Sequence, residues 1–513
     1  ARPRPREPGP GARAPAPAPP PKMAALALAL GALSLAAGQQ PGKDEDGPQL
    51  LLHRCNRDGV CEAEYAAMTM DASWRTQHNA SRGGWQGCII AEGLWNSKLC
   101  PDELTCAKRC AVDGLNLDDY AEKHGIEEID DGVKIGYVSA TQYGVNVGSR
   151  MYMLDENFDK YKVWKLKNRE IAFDIDVSTL PCGVNAALYF VAMAGDGGKG
   201  TGNNDAGAKY GTGYCDARCQ HSPNFMEGEA NMDWAYGACC MEVDLFEGNR
   251  ESMATTLHSC SHVGFKKCTH EKECGDTKEG YHYQGVCDKD GCDFNPYRMG
   301  NHEFFGEGKD VDSSEPVTVV TQFITTDGTD DGDLKEVRRI FMRGSTEISM
   351  ASSKVAGVTG NSITDGYCSA QKKAFGGTRT DDNEDGEYNQ FDHLGGMAQI
   401  GKALDNGMVL AVSLWDDPGT HMRWLDSTSP KRHLTAPGAQ RGPCSRRDGD
   451  PAAARRHAQR GYVAFTNIMY GDLGSTAKSK AKLQEDFAVD PVSTLVATPA
   501  LQRWPPPPPP PHQ

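Results

Sequence analysis

Eighteen cysteines constrain this 513-residue chain more than any other feature. They stand at Cys55, Cys61, Cys88, Cys100, Cys106, Cys110, Cys182, Cys215, Cys219, Cys239, Cys240, Cys260, Cys268, Cys274, Cys287, Cys292, Cys368 and Cys444. An even number of that size is what an exported chain carries when its thiols are closed into disulfides in an oxidising compartment. Zinc is the competing reading, because Cys215-x3-Cys219 and Cys239-Cys240 could serve as half-sites. No suitably spaced histidine accompanies them, so disulfides are expected and no metal is.

The rest of the composition suits a folded body: 38% hydrophobic, 24% charged and 57 glycines. Length allows one large or two medium domains. Helical periodicity is scarce. Short β-branched and aromatic runs such as Ile171-Ala-Phe-Asp-Ile-Asp-Val177, Val317-Thr-Val-Val-Thr-Gln-Phe-Ile324 and Met408-Val-Leu-Ala-Val-Ser-Leu414 alternate with Gly, Asp and Pro loops, so a single all-β sandwich is expected. The formal net charge of −16 makes a nucleic-acid partner a poor fit.

One run carries chemistry. Glu242-Val-Asp244-Leu-Phe-Glu247 sets three carboxylates in apolar, strand-forming sequence. On a strand Glu242 and Asp244 share a face, while Glu247 is out of register and needs a bulge to join them. Crowded acids repel. Such crowding serves chemistry in which one carboxyl keeps its proton as general acid while another is ionised, the two-carboxylate logic of glycoside hydrolysis. The plain alternative for so short a motif is a solvated acidic edge strand.

Longer blocks decide between the two. Asp71-Ala-Ser-Trp74-Arg75, Leu180-Pro-Cys182-Gly183, Ala187-Leu-Tyr189-Phe190, Tyr214-Cys215-Asp216, Asp290-Gly-Cys292-Asp293-Phe294-Asn295-Pro296-Tyr297-Arg298, Ser413-Leu-Trp415-Asp-Asp417, Trp424-Leu-Asp-Ser-Thr428 and Phe465-Thr-Asn467-Ile468 run in an order that resembles glycoside hydrolase family seven, the reducing-end cellobiohydrolases and their endoglucanase relatives. The resemblance covers about residues 50 to 476. It implies a concanavalin-like β-jelly roll of two curved antiparallel sheets with long cleft-covering loops. It also implies nine disulfides: Cys55 with Cys61, Cys88 with Cys110, Cys100 with Cys106, Cys182 with Cys444, Cys215 with Cys240, Cys219 with Cys239, Cys260 with Cys287, Cys268 with Cys274, and Cys292 with Cys368.

By the same resemblance Glu242 is the nucleophile, Glu247 the acid and then the base, and Asp244 a support hydrogen-bonded to Glu242. Trp74, Trp415 and Trp424 match sugar platforms, Tyr189, Asp216, Asp290, Asp293, Arg298 and Arg441 match polar positions lining the cleft, and His258 matches the histidine near the +1 sugar. The implied substrate is cellulose or a soluble β-1,4-glucan, cut by a secreted monomer without cofactor, metal or membrane. A non-catalytic carbohydrate-binding sandwich is the rival class, and the three acids argue against it.

Three departures qualify the resemblance. Thr76 stands where processive members place a chain-capturing tryptophan, the loop between Asn231 and Cys239 is much shorter than in tunnel-forming members, and His282 replaces a product-site arginine. The loop containing Arg441 and the long segment from Cys260 to Cys287 are exo-like. Residues 1–22 read as an upstream segment foreign to the fold, 23–38 as a signal peptide too short to span a membrane, 39–476 as the catalytic domain, and 477–513 as a low-complexity Pro-rich tail with no cellulose-binding module. Asn79-Ala80-Ser81 is a glycosylation sequon. The acidic run 381–392 has the spacing of a calcium loop, against the simpler reading of a solvated loop.

Overall fold

The computed structural model describes residues 39–81, 86–91, 94–141, 144–276, 278, 280–376, 389–429 and 434–479. The segments read as upstream stretch, signal peptide and, past Ser479, Pro-rich tail lie outside the described residues, as do residues 381–388 of the acidic loop. No described helix is long and apolar enough to cross a membrane.

Twelve strands build the body: β1 (Gln49–Cys55), β2 (Cys61–Met70), β3 (Ser149–Leu154), β4 (Arg169–Asp176), β5 (Val184–Val191), β6 (Glu242–Gly248), β7 (Met253–His258), β8 (Cys292–Phe294), β9 (Val317–Thr325), β10 (Leu334–Arg343), β11 (Met408–Asp416) and β12 (Tyr462–Asp472). Antiparallel pairing runs β8-β7-β6-β5-β11-β3-β2-β1 in one sheet. The second sheet runs β12-β4-β9-β10. A short parallel stretch, His53 opposite Met469 to Cys55 opposite Gly471, joins the two. This is the jelly-roll sandwich expected from the sequence.

Period-2 alternation explains the packing. Leu188 and Phe190 of β5, Val243 of β6 and Val412 and Leu414 of β11 are buried in one cluster with Ile171, Phe173 and Ile175 of β4, Val319 and Phe323 of β9 and Phe465 of β12. Each such side chain contributes about 1.5–3 kcal/mol by leaving water. The described helices are short, Gly396–Asn406 being the longest at 11 residues.

All eighteen cysteines are paired, in the nine bridges that the resemblance implies. Cys215, Cys219, Cys239 and Cys240 are therefore disulfide sulfurs rather than zinc half-sites. The N-terminal segment is anchored by a buried ion pair, Arg75 Nη1 to Glu45 Oε2 at 2.5 Å. That pair fixes the turn Ala72–Trp74, whose first residue is capped by Asp71 accepting from Ser73 N at 2.6 Å. Trp74 is thereby held at the edge of the large sheet.

Candidate active site

The core-facing residues leave their neighbours on the opposite face, and these line a cavity of about 280 Å³. Ala187 and Tyr189 come from β5, Ser413 and Trp415 from β11, Ala254, Thr256 and His258 from β7, and Glu242, Asp244 and Glu247 from β6. Glu242 lies opposite His258 and Asp244 opposite Thr256, but Glu247 lies opposite Ala254. Three steps along β6 are matched by two along β7. The extra residue is the bulge the sequence demanded, and it returns Glu247 to the face of the other two acids.

The three carboxyls differ in surroundings. Glu242 Oε2 accepts from Ala217 N at 3.1 Å. Burial, then Asp244 and Asp216, push its carboxyl well above the usual range, against the pull of His258. Glu247 Oε1 accepts from Asn185 Nδ2 at 2.9 Å. Burial and then Asp244 raise Glu247 to about 8, so it holds its proton at neutral pH. Asp244 Oδ2 pairs with His258 Nε2 at 3.2 Å.

His258 faces acceptors with both ring nitrogens, its Nδ1 lying 2.7 Å from the carbonyl oxygen of Asp288. Two acceptors require two protons, hence an imidazolium. Burial opposes that charge, but the hydrogen bond and charge of Asp244 outweigh it and lift His258 to about 10. Gly291 lies under the ring with φ +67°, and a Cβ there would come within 2.4 Å of Thr256 Cγ2 and 2.7 Å of the His258 ring. This position in the Asp290-Gly-Cys292 block therefore needs glycine.

Asp244 faces two ways: its Oδ2 meets His258 Nε2, and its charge is the largest single one that raises Glu242. The Asp244–His258 pair acts on Glu242 through space, one charge of each sign.

Twelve of the thirteen residues singled out in the sequence line the cavity: Trp74, Tyr189, Asp216, Glu242, Asp244, Glu247, His258, Asp290, Asp293, Trp415, Trp424 and Arg441. Arg298 is the exception and corrects the sequence reading. It is buried, donates to Asp293 Oδ1 and, at 3.0 Å, to the carbonyl of Gly438, and so supports the wall from behind. Burial works to raise Asp293, but Arg298 and then Arg441 hold it below the ordinary carboxylate range.

Trp415 and Trp424 present rings with centroids 6.3 Å apart, tilted by 31°. The Arg150 guanidinium lies 5.3 Å from the Trp74 ring and 3.3 Å from that of Tyr214. Tyr214 donates to Asp216 at 2.8 Å, and its hydroxyl lies 3.3 Å from that of Tyr189. At the other end His282 Nε2 and Tyr283 Oη meet Asp290 at 2.8 and 3.0 Å. Sequence reasoning missed Asn185, Arg150, Arg218 and Lys289. Asn185 carried a usable signal, since β5 is apolar throughout except for this amide and Tyr189.

The short loop 231–239 is pinned by Asn231, whose Nδ2 donates to the carbonyls of His221, Tyr236 and Pro223 and whose Oδ1 accepts from Tyr236 N. Trp234 on this loop is 55% exposed.

The sequence profile of glycosyl hydrolase family 7 matches residues 40–477. Among solved structures, a family 7 cellobiohydrolase from Daphnia pulex is 38% identical, with a TM-score of 0.81 over 85% of this chain and 100% of that one. A cellobiohydrolase from Melanocarpus albomyces, solved with cellotetraose, is 35% identical with a TM-score of 0.77, covering 85% and 99%. The native endocellulase EGI of Humicola insolens is 32% identical with a TM-score of 0.72, covering 85% and 100%. A β-sandwich with an acidic, tryptophan-lined cleft is thus a glycoside hydrolase of the cellulase class. The chain belongs to glycosyl hydrolase family 7.

Proposed function

We propose that this protein is a secreted retaining cellulase that cuts β-1,4-glucosidic bonds and releases mainly cellobiose from reducing ends. The observation that carries the reading is the convergence of Glu242, Asp244 and Glu247 with Trp74, Trp415 and Trp424 on one cavity. Pyranose C–H faces stack on indole rings, and the polar wall takes the hydroxyls.

In this reading Glu242 attacks the anomeric carbon while Glu247 gives its proton to the glycosidic oxygen, and the leaving sugar departs. Glu247, now a carboxylate, takes a proton from the water that releases Glu242. Glu242 attacks as a carboxylate, a form that burial and Asp244 oppose and that His258 and the Ala217 N–H favour; positive charge developing on the sugar ring stabilises it further. The Asp244–His258 pair keeps that neighbourhood polar and oriented. The nine disulfides favour an oxidising, extracellular setting.

Endo-cleavage is the second reading, favoured by the short loop 231–239 and by an exposed Thr76 at the cleft's Trp74 end. Both features weaken the hold on a chain end. The ratio of soluble to insoluble reducing ends on amorphous cellulose separates the modes: a high ratio with cellobiose dominant supports exo action, and a ratio near unity assigns endo action. Thr76→Trp should raise the cellobiose fraction on crystalline cellulose and leave small-substrate hydrolysis nearly unchanged. An unchanged product ratio would count against the chain-capture argument.

A further inference from the structure

The bulge that brings Glu247 into the cleft has a support on its far side. Asp244 lies opposite Thr256 and Glu247 opposite Ala254, so Leu245 and Phe246 of β6 stand against the single residue Thr255 of β7. A bulge interrupts the ladder, and buried backbone groups around it need other partners. The Asp244 carbonyl takes the Thr255 hydroxyl, which donates to it at 2.7 Å. Thr255 sits between the cavity-lining Ala254 and Thr256, so its own side chain faces away from the cleft into the sandwich. There it meets Arg339 of β10, from the opposite sheet. Arg339 donates through Nη2 to Thr255 Oγ1 and through Nη1 to Thr321 Oγ1 of β9.

The chemistry of these groups fixes a direction. A guanidinium only donates, whereas a hydroxyl has one proton to give and lone pairs with which to accept. With Arg339 on its lone pair, Thr255 turns its proton away, and the acceptor it faces is the Asp244 carbonyl. The arrangement costs free energy. Arg339 is 3% exposed, and its hydrogen-bond partners are neutral hydroxyls rather than a carboxylate. Burial opposes its charge and Asp244 favours it. An apolar side chain of similar bulk would fill the place without that cost.

We propose that Arg339 and Thr255 are positioning residues that lock the bulge of β6 and so set the spacing of Glu242 and Glu247. That spacing decides which displacement two carboxyls can carry out, because a nucleophile and an acid stand closer together than a base and an acid with water between them. The inference rests on the proposed function and deepens it. The sheet formed by β12, β4, β9 and β10 lines no part of the cavity, yet through Arg339 it holds the strand that carries the acids.

Kinetics on an aryl β-cellobioside, with melting curves, for variants of the full chain test this. Arg339→Met keeps the bulk and removes the charge, so it should melt at or above the wild-type temperature yet lower kcat by about ten- to hundredfold, with KM changed by less than about twofold. Thr255→Val keeps the shape and loses the hydroxyl, and should lower kcat to the same extent. Thr255→Ser keeps the hydroxyl and should stay within about threefold of the wild type. The variant carrying both Arg339→Met and Thr255→Val should be no slower than Thr255→Val alone, since both act through one hydroxyl, whereas independent roles would multiply. If Arg339→Met does not fold, the contrast of Thr255→Val with Thr255→Ser decides alone. Wild-type kcat in Arg339→Met or Thr255→Val, an equal loss in Thr255→Ser, or multiplied losses in the double variant would overturn the lock. A wild type that leaves the cellobioside intact would instead overturn the proposed function.

Discussion

Glu242→Gln and Glu247→Gln will each lower kcat/KM on an aryl cellobioside or lactoside by at least about a thousandfold, because each removes a group that forms a bond or moves a proton in the transition state. Asp244→Asn will retain more activity, about a ten- to hundredfold loss, since Asp244 acts through its pairing with His258. The pH dependence follows from Glu247. Its carboxyl is held up to about 8, so its role as acid is lost as pH rises through about 8.

The same shift acts on stability with a definite sign. Below an ordinary carboxyl pKa near 4.5, Glu247 is protonated folded or unfolded and costs nothing. Between there and about 8 only the unfolded chain is ionised, so stability falls with rising pH. Glu247→Gln keeps an acceptor for Asn185 and removes the charge. It should therefore melt above the wild type at pH 7, by an amount worth on the order of 1–3 kcal/mol, and converge with it in acid. Wild-type turnover by either glutamine variant, with deamidation excluded, would remove the assignment.

The second large effect is on stability. Replacing Cys182 and Cys444 together by Ser opens a bridge spanning 262 residues and should cost about 2–5 kcal/mol in denaturant unfolding. The equivalent change at Cys55–Cys61, which closes only 6 residues, should cost less. The long bridge also fixes one wall of the cleft. Asp426, between Trp424 and Arg441, accepts from Gly183 N at 2.7 Å and from Asn249 at 2.8 Å, and its carbonyl takes Cys444 N at 3.0 Å. KM for oligosaccharides should therefore rise more than kcat falls. Equal stability of the two variants would contradict the loop-length argument.

The sequence made the catalytic strand legible because an alternating face is a local property. Glu242 and Asp244 on one side, and a bulge before Glu247, follow from parity alone. What parity cannot supply is a partner from another strand. Asp244 takes His258 from β7, and Arg298 reaches Asp293 from the loop after β8, contacts that the order of residues along one strand does not show. Arg339 was invisible for the same reason. It lies on β10 of the opposite sheet and crosses the core to donate to Thr255, whose hydroxyl donates to the Asp244 carbonyl at 2.7 Å. Burial lowers Arg339 to about 9, so this cation beneath Asp244 is held against its own desolvation. Arg218 and Lys289 escaped notice because a loop cation's place on the cleft wall is set by the fold around it and not by its neighbours in sequence.

The central claim is a double displacement on Glu242, and proton NMR of the newly formed hemiacetal tests it most directly. Hydrolysis of an aryl β-cellobioside, whose product cellobiose carries the anomeric centre that the reaction creates, followed within the first minutes, should show the β-anomer first, with the α-anomer growing only as mutarotation proceeds. Initial appearance of the α-anomer would mean single displacement by water, leaving Glu242 as a base rather than a nucleophile, and would contradict this account.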